Sequence, residues 1–133
     1  MNLMLFRGLA SRLLLSKRKV KEETEVISIT THTQLTSADN GKTYSLDATG
    51  VFLRLPDYTG LVDGFTVNVQ CTQWGYVEVY STFIGDERVR FEEFGYDGVQ
   101  LQAAGDTAVL VYSSSNVTWA ATGTGTTIGF YDQ

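Results

Sequence analysis

From Val26 onward, hydrophobic and polar residues alternate with a period of two, the signature of half-buried strands. Ile27 and Ile29 alternate with Ser28 and Thr30, and Tyr44 and Leu46 share one face of a short segment. Val51, Leu53 and Leu55 share a face in a run that Pro56 ends. Phe65, Val67, Val69 and Cys71 do the same, followed by Val77 and Val79. A weaker segment runs near Arg88 to Phe91. Then come Val99, Leu101 and Ala103, and after them Ala108, Leu110 and Tyr112. Val109 and Val111 occupy the alternate positions of that last segment, so the pattern predicts burial of both its faces. Val117 with Trp119, and residues 126–130, complete the set. Turn signals separate the runs: Asp39-Asn40-Gly41, Asp47-Ala48-Thr49-Gly50, Asp63-Gly64, Gly85-Asp86, Asp97-Gly98 and Gly105-Asp106. Short strands with turns every roughly 8–14 residues predict an all-β fold, an antiparallel, jelly-roll-like β-sandwich of eight to ten strands.

The first residues follow another rule. In MNLMLFRGLASRLLLSKRKVK, Leu3, Phe6, Ala10 and Leu13 recur at helical spacing, which predicts an amphipathic helical arm. Leu9 and Leu14 add apolar surface to it. An isolated helix of this length is marginal in water, so the arm needs a surface to dock on. Residues 22–25, Glu-Glu-Thr-Glu, reverse the charge and serve as linker. The expected organisation is therefore a basic arm and linker over 1–25 and a β-sandwich over 26–133.

Charge sharpens this division. The net charge of −5 splits into six basic residues and no acid in 1–21, against four basic and fifteen acidic residues in 22–133. An acidic body repels nucleic acid, while a basic arm seeks an acidic or amphiphilic surface. A mitochondrial presequence and a membrane-surface helix share the arm's composition, but docking on protein is the preferred reading, with no membrane partner. Simple packing of the arm on its own domain is the bland alternative. Leu3, Phe6, Leu9, Leu13 and Leu14 would supply its apolar contact, and Arg7, Arg12, Lys17, Arg18 and Lys19 its basic one.

Chemistry-bearing residues are sparse. One Cys excludes an intrachain disulfide, and a single His excludes the usual multi-histidine centres. Cys71 alternates with valines and reads as a small buried hydrophobe, and His32 as an ordinary strand histidine. Asp86-Glu87 and Glu92-Glu93 lack calcium-loop spacing, and Arg88 and Arg90 between them would neutralise them. Gly123-Thr124-Gly125 lacks the Lys-Ser/Thr and the helix of a phosphate loop. Asn116-Val117-Thr118 is a sequon by composition only. No cofactor, no metal and no catalytic set is expected. Aromatic residues crowd between 74 and 96, and Trp74, Tyr76, Tyr80, Phe94 and Tyr96 are the candidates for a subunit interface or for stacking on a ligand.

Residues 35–50, LTSADNGKTYSLDATG, followed by Leu53-Arg54-Leu55-Pro56, resemble small β-rich modules of tailed-phage virion proteins. Those include capsid decoration (cement) proteins, head fibres and tail fibres. Residues 104–113, AGDTAVLVYS, with Asn116-Val117-Thr118-Trp119, resemble the module's closing strands. The resemblance spans roughly residues 33–122 and leaves out the arm. It implies a non-enzymatic virion component, commonly trimeric. A capsid decoration protein whose arm straps over the major capsid protein or other virion subunits is the first expectation. A tail or fibre component touching a host glycan is the second, and a stand-alone carbohydrate-binding module the third.

Overall fold

The computed structural model describes residues 25–80, 83–84, 87–88, 90–92, 98–124 and 128–131. The arm expected to be helical, with its apolar and basic docking residues, and nearly all of the linker fall outside them, and among the described residues there is no N-terminal helical arm.

The first six strands are β1 (Val26–Ile29), β2 (Thr33–Gln34), β3 (Thr43–Leu46), β4 (Val51–Arg54), β5 (Thr66–Cys71) and β6 (Gly75–Glu78). The chain lays them alternately in two sheets. β1, β3 and β5 stack in parallel in one, and β2, β4 and β6 stack in parallel in the other. Each return trip is one coil, and about three coils form a β-solenoid. Parallel neighbours need a long crossover. Here the crossover of each sheet is the strand of the other.

The remaining strands build onto the last coil. They are β7 (Phe83–Ile84), β8 (Glu87–Arg88), β9 (Arg90–Phe91), β10 (Gly98–Leu101), β11 (Thr107–Ser113), β12 (Thr118–Thr124) and β13 (Ile128–Tyr131). β11 pairs antiparallel with β5, β12 antiparallel with β11, and β9 parallel with β12. The first sheet thus reads β1-β3-β5-β11-β12-β9. β10 pairs antiparallel with β6 and β13 with β10, giving β13-β10-β6-β4-β2 for the second. β7 and β8 pair antiparallel as a separate two-stranded sheet.

This corrects the antiparallel jelly-roll expectation. The described residues are strands and turns, as the alternation requires, but the sheets are mixed and the first half is coiled. Alternation reports which side of a strand is buried and nothing about its neighbour. A turn every dozen residues serves a coil as well as a hairpin. The expectation of burial on both faces of residues 108–112 also fails. Ala108, Leu110 and Tyr112 are buried, whereas Val109 and Val111 are 40% and 37% exposed on the outer surface of the first sheet.

The core lies between the sheets. Ile29, Leu46, Val67, Val69, Leu110 and Trp119 of the first sheet meet Val51, Leu53, Val77, Val99 and Leu101 of the second. Leu35, Leu55, Leu61 and Phe65 close the corners. At one corner Thr36 caps a short 3-10 turn, Ser37–Asp39, and Asp39 returns the bond to the Thr36 N–H at 2.8 Å. Asp39 also accepts the Tyr44 hydroxyl at 2.7 Å and meets the Lys42 ammonium at 3.2 Å.

The coils approach closely at Gly75. A β-carbon there would stand 2.9 Å from Leu46 Cδ1 and 3.0 Å from the Val51 carbonyl oxygen. The leucine can rotate, but the backbone of β4 cannot, so the contact is one of overpacking. Gly75→Ala is expected to lower stability by about 1–2 kcal/mol, read as a shift of the urea midpoint. An unchanged midpoint would mean that the coils have slack at this crossing.

Candidate functional site

The outer face of the second sheet carries an aromatic row. It begins at strand positions where the alternation predicts polar residues: Phe52 lies between the buried Val51 and Leu53, and Tyr76 between the buried Gly75 and Val77. β4 and β6 are parallel and in register, so Phe52 and Tyr76 are direct neighbours. Their rings stack with centroids 5.1 Å apart and planes 29° from parallel. His32, just before β2, tilts against Phe52 with centroids 4.5 Å apart. Trp74, just before β6, meets Tyr76 edge-on at 5.6 Å and 90°. Four rings from three coils form one strip, in the offset and edge geometries that ring quadrupoles favour.

Both ends of the strip are fixed by the backbone. His32 Nδ1 accepts the Phe52 N–H at 3.0 Å, so a neutral His32 carries its proton on Nε2, which is left as a donor. The indole of Trp74 lies over Gly50, where a β-carbon would be 3.3 Å from Cη2. Gly50 has φ +74°, a left-handed turn residue, and its N–H donates to the Trp74 carbonyl at 2.8 Å. Trp74 is nevertheless 39% exposed, against 0% for Trp119, the other tryptophan. Beside His32 opens a groove of about 310 Å³ lined by Thr30, Thr31, His32, Ala48, Thr49 and Val51.

The next row along the same face is ionic. Arg54 Nη2 meets Glu78 Oε1 at 3.3 Å, with Glu78 nearly buried. Next to Tyr76, on β10, comes Gln100. The face therefore runs from rings to amide and ion pair within adjacent strands.

A carboxylate hub sits at a coil corner. Asp47 accepts from Ser28 Oγ at 2.5 Å, Ser45 Oγ at 2.6 Å and Thr72 Oγ1 at 2.7 Å. These hydroxyls, in that order, hold the Asp47 carboxyl below the usual carboxylate range. Burial pushes Asp39 up, but the Thr36 N–H, the Tyr44 hydroxyl and Lys42 outweigh it, and its net shift is also downward. Cys71 is buried, donates its thiol to the Ala103 carbonyl at 3.1 Å, and is pushed upward chiefly by that burial. It has the setting of a packing residue and not of a nucleophile. Among the described residues no cluster of His, Cys, Asp and Glu has the makings of a metal site, and no helix is long and apolar enough to cross a membrane.

Of the sequence-derived aromatic candidates, Trp74 and Tyr76 come together. Tyr80 lies apart, lining a separate depression of about 250 Å³ with Gln34, Leu35 and Asp57 among others. Phe94 and Tyr96 lie outside the described residues. Sequence reasoning missed Phe52 and His32. The available signal was an aromatic at the outward position of Val51-Phe52-Leu53-Arg54, where a one-sided strand has no use for it. A scan against models of known protein families finds no match, and neither does a search of curated proteins.

Proposed function

We propose that the chain is a structural protein of a tailed-phage virion, a decoration protein whose basic arm docks on neighbouring virion subunits and whose solenoid stands on the particle. One observation carries this reading. The residues that resemble the virion modules are not scattered over the surface. Residues 35–50 and 53–56 follow one another from the end of β2 through the 3-10 turn, β3 and β4, and so build the middle coil. The second resembling stretch supplies β11 and the start of β12, which extend the first sheet beyond the last coil. Both stretches contribute side chains to the one core between the sheets.

The charge division supports a strap mechanism. Six positive charges on the arm complement acidic capsid surface, while the −11 body does not compete for nucleic acid. Many copies on a lattice would make weak individual contacts persistent. Association of the chain with itself, as a trimer, fits the outer face of the first sheet, where Thr66, Asn68, Val109, Val111, Ala120 and Thr122 are all uncharged. Two acidic bodies meet with least repulsion on this uncharged patch, which stops short of Arg90 and Glu92 at the β9 edge. The second reading, a tail or fibre component, is favoured by the aromatic row on the opposite sheet.

Quantitative mass spectrometry of purified particles tests the assignment. Hundreds of copies per particle are expected for a decoration protein, and removal of residues 1–21 should abolish co-sedimentation with particles. A few to a few dozen copies would move the chain to the tail. Absence from the particle would overturn both placements.

A further inference from the structure

We infer that the Trp74 end of the second sheet is a saccharide-binding site, with the exposed indole as platform and the groove beside His32 as the hydroxyl-reading half, and that it takes a neutral hexopyranose. The inference deepens the glycan contact of the fibre reading. It concerns the isolated chain, so it stands or falls independently of where the protein sits on a particle.

Three observations converge. The first is a preorganised ring. The benzo rim of Trp74 packs at Gly50, Tyr76 meets the indole at 90°, and 39% of the residue remains exposed. The same fold buries Trp119 completely, so the exposure is not for lack of a core. A rigid, half-open aromatic adds contact area at little entropic cost to binding. The apolar C–H face of a pyranose is the matching surface.

The second observation is the groove chemistry. Thr30, Thr31 and Thr49, three hydroxyl-bearing residues, belong to the lining, and His32 adds an Nε2 donor whose direction the Phe52 N–H fixes. Thr49 is held in turn by Gln73, Oγ1 to Oε1 at 3.3 Å. Hydroxyls that both donate and accept suit a polyol, whose own hydroxyls do the same. The groove's 310 Å³ lies at the small end of ligand pockets.

The third is charge. Among the described residues no carboxylate, lysine or arginine lines the groove or belongs to the aromatic strip. Asp47, the nearest acid in sequence, is engaged by Ser28, Ser45 and Thr72. Among the described residues the nearest cation on this face, Arg54, is paired with Glu78, so an acidic sugar or a phosphate would gain little here and would be repelled by the acidic body. A nucleobase would stack on the same ring, but its phosphates would meet the same repulsion.

The chain's two tryptophans make the test direct. Two indole N–H cross-peaks are expected in a ¹H–¹⁵N spectrum of the full chain. On titration with maltotriose, mannotriose, chitotriose and a galactobiose, at least one sugar should move the Trp74 peak and leave that of the buried Trp119 in place. His32→Ala and Thr31→Val, which replace no core residue, should each weaken that sugar at least threefold, and Trp74→Ala at least tenfold. Trp74→Phe, which keeps a ring, should retain most of the affinity and guards against a folding defect in the alanine variant. A Trp74 peak that none of the sugars moves overturns the proposal. So does a response equal to that given by a thymidine oligonucleotide, or one unaffected by the His32 and Thr31 substitutions.

Discussion

Replacing Trp119 with alanine is expected to remove about 4 kcal/mol of stability, enough to consume a large share of the roughly 5–15 kcal/mol typical of a small domain. Trp119 is fully buried and meets Phe65 edge-on at 6.1 Å and Tyr112 at 5.4 Å. Its backbone is held as firmly as its ring. It pairs with Tyr112 of β11 on one side and Phe91 of β9 on the other, and its carbonyl accepts the Glu92 N–H at 2.8 Å. Truncation would leave a cavity between β12 and the Phe65 corner that neither sheet can close without shifting its register. Urea unfolding should show a lower midpoint with an unchanged slope. Trp74→Ala is the internal contrast, because a ring 39% exposed on the outer face has much less burial to lose. A Trp119→Ala loss no larger than that of Trp74→Ala would mean that the closing strands are not part of the cooperative core.

The two tryptophans also show how far the residues could be read before the fold was known. Trp119 sits in an alternating run, and its inward position follows from periodicity. The strand segments themselves were legible for the same reason, as were the turns at Gly41, Gly50, Gly64 and Gly105, where φ is positive. The pairing was not. In a solenoid the neighbour of a residue lies one coil ahead, and coil length here is irregular. The step is 17 residues from Val26 to Thr43 but 25 from Thr43 to Asn68. On the other sheet it is 20 from Thr33 to Leu53 and 24 from Val51 to Gly75. Regular solenoids announce themselves by a fixed repeat. This one hides it in unequal corners, such as the capped turn after Thr36 and the loop from Asp57 to Gly64. The candidate site was half legible for a related reason. Trp74 and Tyr76 stood out by aromatic density, whereas Phe52 and His32 join them only through parallel stacking of three coils. Val109 and Val111 misled because β-branched residues suit an exposed strand face as well as a buried one.

Asp47 is where successive coils are tied at the corner, and its removal is expected to be the second most damaging change. Ser28 belongs to β1, Ser45 to β3, and Thr72 directly follows β5, so one carboxylate gathers a hydroxyl from each of three stacked strands. The backbone joins in: the Asp47 N–H donates to the Ile29 carbonyl at 2.9 Å, and the Thr72 and Gln73 N–H groups converge on the Leu46 carbonyl. Hydrogen bonds to a charged acceptor each contribute more than neutral ones, but two of these three donors are near solvent. Asp47→Ala is therefore expected to cost about 2–3 kcal/mol, much of it from the buried Ser45 hydroxyl left without its acceptor. Ser45→Ala alone should cost less, and the double variant should cost less than the sum of the two. Additive losses would show that the two groups do not act together. The hub also sets an acid limit. Asp47 and Asp39 both titrate below their unfolded values, so their contribution is complete above about pH 5, where the unfolded carboxylates are almost fully ionised. It drains away as the pH falls through the lower folded values. The melting temperature should hold from about pH 7 to pH 5 and drop below about pH 4. In Asp47→Asn that drop should be shallower, with the remainder due to Asp39. An acid limb equally steep in this variant would remove Asp47 from the account and leave the coils held by packing alone.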